Sequence, residues 1–151
     1  MNFATWFRRL VEGEQPRSIY VRRDVVDHDH IRRWFENQGL KVDGGMHCTI
    51  AYSRRPILWS MVPPRKDTIV ERGHRMGRLG SDGALVMFID TRPGLGLHGE
   101  WLRFMHAGAS YDFDSYRPHI TICYQPKVKV ADIKPYPGIF ELGPQIYETI
   151  K

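Results

Sequence analysis

Apolar and polar positions alternate over several short stretches of the chain, and two further stretches switch to a helical period. Residues 17–23 place Ile19 and Val21 on one side and Tyr20 on the other, a strand pattern. Residues 27–38 carry Ile31, Trp34 and Phe35 on one helical face, with Gly39 as the C-terminal stop. Alternation returns at residues 46–52. Pro56, Pro63 and Pro64 then predict a loop over residues 54–67. Residues 68–79 read as a strand or hairpin arm closed by the turn Ser81-Asp82-Gly83, and residues 84–90 as an apolar strand. A second helix over 97–107 carries Trp101, Leu102 and Met105. Strands over 118–124 and 140–150 complete the pattern. Near the start, Phe3, Trp6, Phe7 and Leu10 fall at helical spacing, without the apolar run and cleavage site of a signal peptide.

The order strand, helix, strand occurs twice, and each second strand bears the same signature. These are His47-Cys48-Thr49-Ile50-Ala51-Tyr52 and His119-Ile120-Thr121-Ile122-Cys123-Tyr124. A duplication predicts one α+β domain over residues 1–151, with two strand–helix–strand halves forming two lobes about a pseudo-twofold axis and a cleft between them. In an extended strand His47 and Thr49 share a face, as do His119 and Thr121. A lone strand histidine is ordinarily structural. Two histidines and two hydroxyls converging on one cleft point to phosphoryl chemistry. One imidazole takes the proton of a ribose 2′-hydroxyl, the other protonates the leaving oxygen, and the threonines donate to the phosphate oxygens. An ordinary pKa of ~6.5 lets one ring be neutral and the other charged at working pH. Which ring plays which part is open.

Composition narrows the partners. Lys and Arg number 22 against 17 Asp and Glu, for a net charge of +5, which favours anionic ligands without choosing among nucleic acid, nucleotide and membrane phosphate. No apolar run approaches the ~20 residues of a membrane span, so a cytoplasmic protein without a membrane partner is expected. Cys48 and Cys123 lie on opposite strand faces by parity and are expected as free thiols. Asp27-His28-Asp29-His30 opens a helix, where acidic side chains cap amides, so neither a metal site nor a cofactor is expected. Arg54-Arg55 and Arg65-Lys66 read equally as phosphate-attracting or simply solvated. The residues from Tyr111 to Tyr116 read as shaping the loop into the second motif. His74, His98 and His106 show no partner in the sequence, and nothing in it indicates an oligomeric state.

The paired His-x-Thr-Ile motifs resemble those of the 2H phosphoesterase superfamily. The run Ala107-Gly108-Ala109-Ser110-Tyr111-Asp112-Phe113-Asp114-Ser115-Tyr116-Arg117-Pro118-His119-Ile120-Thr121 is similar to the phage anti-CBASS phosphodiesterases within it, as are His47 to Arg54 and the segment from Gly73-His74 to Asp82-Gly83. The resemblance implies a metal-independent enzyme that degrades the 3′,5′-linked cyclic di- and trinucleotides with which infected bacteria activate CBASS effectors. It implies no stable nucleic-acid partner and action in the host cytoplasm. His47, Thr49, His119 and Thr121 take the catalytic places. Tyr20 matches a base-stacking tyrosine, or is an ordinary strand aromatic. Glu148 falls near a glutamate that contacts a base edge. Arg78 stands about where the group has a tryptophan, and a guanidinium can also stack on a base. The group's aromatic-bearing segment after that glutamate has no counterpart before Lys151. The alternatives are an RNA-processing enzyme acting on linear ends or 2′,3′-cyclic phosphates, and a non-catalytic protein that sequesters nucleotides.

Overall fold

The alternating stretches fold into six strands that close into one antiparallel barrel, with a helix in each of two connections. The computed structural model describes residues 13–42, 44–125 and 127–151, so the apolar spacing at Phe3, Trp6, Phe7 and Leu10 lies outside the described residues. The strands are β1 (Arg17–Val26), β2 (His47–Ile57), β3 (Ile69–Leu79), β4 (Ala84–Ile89), β5 (His119–Cys123) and β6 (Ile139–Glu148). The helices are α1 (Asp29–Glu36) and α2 (Gly96–His106). Around the barrel the order is β1-β2-β5-β4-β3-β6, and β6 closes on β1. The succession strand, helix, His-Thr strand is present twice, as β1-α1-β2 and β4-α2-β5. β3 and β6 stand outside it. They pair with each other and join the two halves in a continuous ring, in place of the separate lobes that the repeat predicts.

Strand alternation sets the core. Ile19, Val21, Cys48, Ile50, Leu85, Met87, Ile120 and Ile122 are fully buried together with Ile31 and Phe35 of α1 and Leu97 and Phe104 of α2. β4 is buried on both faces: Leu85, Met87 and Ile89 join this core, whereas Ala84, Val86 and Phe88 form a second cluster with Leu79. Gly77 on β3 is required there, because a Cβ at that position would overlap the Phe88 ring. Both cysteines are buried free thiols, and burial pushes the Cys48 thiol up to about 12.

One inward position of β1 is charged. Arg23, with no exposed surface, donates from Nε to Glu100 Oε1 at 2.9 Å and from one terminal nitrogen to the carbonyls of Asp67 and Gly143, each at 2.7 Å. Gln145 donates to the same Glu100 oxygen at 2.6 Å and accepts from the Arg65 amide at 2.9 Å. This network ties β1, α2, β6 and the segment before β3 together.

Two sequence expectations are corrected. The prolines predict a loop from residue 54, yet β2 runs to Ile57 and carries Arg54, Arg55 and Pro56. The register against β1 jumps from Ile19↔Ser53 to Arg17↔Ile57, so residues 54–56 form an irregularity in the strand. A proline without an N–H is tolerated at such a bulge. Helix α1 is shorter than residues 27–38, because Asp27 adopts a positive φ of 52° and cannot belong to it. No side chain caps its first turn. The N-cap is His28, and Asp29 acts only through its charge near the positive helix end. Among the described residues no helix is long and apolar enough to cross a membrane.

Candidate active site

The two motif strands are neighbours in the sheet. β2 and β5 pair antiparallel with Cys48 opposite Ile120. Continuing that register by one residue each way sets His47 across from Thr121 and Thr49 across from His119. Directly opposed side chains share a face with Cβ atoms about 4.5–5.5 Å apart, and next-but-one residues on a strand lie about 6.5–7 Å apart. The four groups therefore mark the corners of one small patch, each histidine facing a threonine. Fully buried Cys48, Ile50, Ile120 and Ile122 anchor it from behind, while the four polar residues stay half-buried.

Both imidazoles are held the same way, by a backbone carbonyl two residues upstream. Nδ1 of His119 lies 2.8 Å from the Arg117 carbonyl, and His47 bonds to the Gly45 carbonyl. A ring donating from Nδ1 to a carbonyl keeps Nε2 for the cleft. Burial lowers the pKa of both histidines below the usual imidazole value. For His47, Asp24 opposes this shift and Arg22 adds to it. For His119, the Arg117 carbonyl opposes it, while His47 and the Arg117 guanidinium add to it. Both rings therefore favour the neutral form when the cleft holds no anion. An anion placed between them would supply the negative charge that returns a proton to one.

β1 and β6 add a wall beside His47. Tyr20 pairs with Tyr52 on one side and Glu148 on the other, so the three share a face. The Tyr20 ring lies 6.3 Å from His47 and 5.7 Å from Tyr52, and its hydroxyl bonds to the Thr49 side chain. The structure thus brings Tyr20 beside His47, with Glu148 next to Tyr20 on β6. Arg22, absent from the sequence-based candidates, is held by Asp24 at 3.1 Å and Glu148 at 2.7 Å. Its signal was present, since it lies two residues from Tyr20 on an alternating strand.

Arg78 is engaged with backbone carbonyls. Its guanidinium donates to the carbonyls of Gly83 at 2.6 Å, Gln125 at 2.7 Å and Val128, clamping the β3–β4 turn onto the segment after β5. In the sheet it pairs with Leu85, whereas Arg75 pairs with Phe88, the neighbour of His119.

On the other side of the patch, the loop before β5 closes a cavity of about 240 Å³ lined by Thr49, Tyr52, Tyr111, Phe113, Arg117 and His119, among others. Tyr111 and Phe113 of this loop both line that cavity. Buried Tyr116 stacks on Trp101 with centroids 5.5 Å apart and donates to the Thr49 carbonyl at 2.7 Å, locking the loop to β2. Among the described residues no three His, Cys, Asp or Glu side chains gather as metal ligands.

The α+β barrel with its paired His-Thr strands can be set beside known proteins. A family model described as Anti-CBASS protein Acb1 matches residues 17–151. The chain belongs to this family. It is 32% identical to the Anti-CBASS protein Acb1 of Caulobacter sp. (strain RHG1) over 155 residues, covering 95% of this chain and 24% of the relative. Against the protein of that name from Sphingomonas paeninsulae it is 30% identical over 161 residues, 94% of this chain and 24% of the relative. The Escherichia phage RB16 protein is 46% identical over 88 residues, 56% of this chain and 47% of the relative. The chain spans about a quarter of the length of the first two.

Proposed function

We propose that the chain is a metal-independent phosphodiesterase of the 2H type that hydrolyses 3′,5′-linked cyclic di- and trinucleotides in the host cytoplasm and so blocks CBASS signalling. The observation that carries this reading is the antiparallel pairing of Cys48 with Ile120, which sets two His-Thr pairs head to tail on one face. That arrangement is what two related strand–helix–strand halves produce about a twofold axis.

The chemistry follows from the corners of the patch. The scissile phosphate sits among the four groups, with Thr49 and Thr121 donating to its non-bridging oxygens, where charge grows in the transition state. One histidine removes the proton of the adjacent ribose 2′-hydroxyl. That oxygen attacks phosphorus in line, the 3′,5′ linkage breaks, and the other histidine gives a proton to the departing 5′-oxygen. The product carries a 2′,3′-cyclic phosphate, which water opens when the two rings exchange roles. Tyr20 stacks on a base, an interaction worth about 1–3 kcal/mol, and Glu148 accepts from a base edge.

The test is a panel of cyclic di- and trinucleotides and matched linear RNAs, incubated with and without EDTA and resolved by mass. Cleavage of the cyclic substrates at a rate that EDTA leaves unchanged is expected. Loss of activity with EDTA and its return with a divalent ion contradicts the two-histidine mechanism. Preferential action on linear ends favours an RNA-processing role. Tight binding with no turnover makes the protein a nucleotide sponge.

A further inference from the structure

The cleft does not end at His119. Arg117 lines both the cavity described above and a second one of about 240 Å³, which His74, Arg75, Phe88 and Asp90 also line. Two guanidiniums meet there on one ring. The Arg75 guanidinium carbon lies 4.5 Å from the centroid of Phe88, and that of Arg117 lies 5.8 Å from it. Phe88 in turn meets the His119 ring edge-on, with centroids 6.3 Å apart. Among the described residues neither Arg75 nor Arg117 makes an ion pair, and both are exposed. Asp90 supplies one negative charge against these two positive ones.

We propose that the groove formed by Arg75, Phe88 and Arg117 holds the phosphate of a cyclic oligonucleotide that is not being cut, so that Arg75 is a specificity-determining residue for substrates with more than one phosphate. This inference rests on the function proposed above. When one phosphate of a cyclic dinucleotide sits between the histidines, the ring brings the other back beside it. The two sides of the patch differ in charge. Toward β1 and β6 the ligand meets Tyr20 and Glu148, where the Arg22 guanidinium is already paired with the Asp24 and Glu148 carboxylates, a surface that suits a base and its N–H donors. Toward β4 and β3 it meets two guanidiniums resting on an aromatic face, which suit an anion. Support from the Phe88 ring reduces the side-chain freedom that phosphate binding would otherwise remove.

The experiment compares two uncleavable ligands by calorimetry at fixed ionic strength. One is a cyclic dinucleotide with 2′-O-methyl riboses, and the other a linear 2′-O-methyl dinucleoside monophosphate, which has a single phosphate. Arg75→Ala removes an exposed side chain and should weaken the cyclic ligand about 10- to 100-fold, the scale of a charge-assisted hydrogen bond, while the linear ligand changes by less than about twofold. Arg75→Lys, which keeps the charge, should recover most of the affinity. Equal weakening of both ligands, or no weakening of either, overturns the inference, as does a wild-type protein that binds neither. A wild-type protein that binds the cyclic ligand with this selectivity yet fails to hydrolyse its ribose counterpart overturns the proposed function and leaves the phosphate groove standing.

Discussion

Replacing either motif histidine should nearly abolish turnover. His47→Ala and His119→Ala are each expected to lose about 10²- to 10⁴-fold in kcat, the usual contribution of a positioned proton carrier. Binding should change far less, because Tyr20, Tyr52, Tyr111 and Phe113 still line the cleft in each variant. The double variant should lose much less than the product of the two single losses, since proton removal and proton delivery act as a unit. Single-turnover rates on a cyclic dinucleotide, measured beside its equilibrium binding, check both statements. Near-normal turnover in either single variant would remove the paired motif from the chemistry.

The second large effect concerns stability. Arg23→Ala should destabilise the fold by about 3–5 kcal/mol, because it leaves the Glu100 carboxylate buried without its cationic partner. The carbonyls of Asp67 and Gly143 lose their donors at the same time. Glu71 already reports the local excess of negative charge. Burial first, then Glu100 and Asp90, raise its pKa to about 6, and Arg23 is the group that opposes them. Adding Glu100→Gln to the Arg23 variant should recover part of the loss by removing the unpaired charge. Urea unfolding at neutral pH measures both. A loss below about 1 kcal/mol for Arg23→Ala would mean that water reaches the network and the pair is not a buried one.

The site was legible in the sequence because strand alternation is local. Parity alone puts His47 with Thr49 and His119 with Thr121, and the buried thiol and isoleucines behind them follow from the same count. Long-range register is not local. Arg23 occupies an inward position in the row Ile19, Val21, Arg23, Val25, but its partner Glu100 lies 77 residues away and only the folded chain joins them. The surroundings of Arg78 and Arg75 are hidden from the sequence for a similar reason. Arg75 meets Phe88 in a ladder that runs unbroken from the hairpin pair Leu79↔Ala84, and motif spacing does not reveal where the turn sets that register. The strand continues through Pro56 because an irregular register accommodates what a regular ladder would reject. Parity places Arg22 beside Tyr20, but its tie to Glu148 depends on how β1 lies against β6.

The central claim is that the substrate supplies its own nucleophile, a ribose 2′-hydroxyl activated by one histidine of the paired strands. It is tested most directly by following two cyclic dinucleotides in parallel by mass, one with ribose and one with 2′-O-methyl ribose at the cleaved position. The account predicts that both bind, that only the ribose compound is opened, and that its earliest product carries a 2′,3′-cyclic phosphate. Cleavage of the methylated compound at a comparable rate, with no cyclic phosphate at early times, would contradict it.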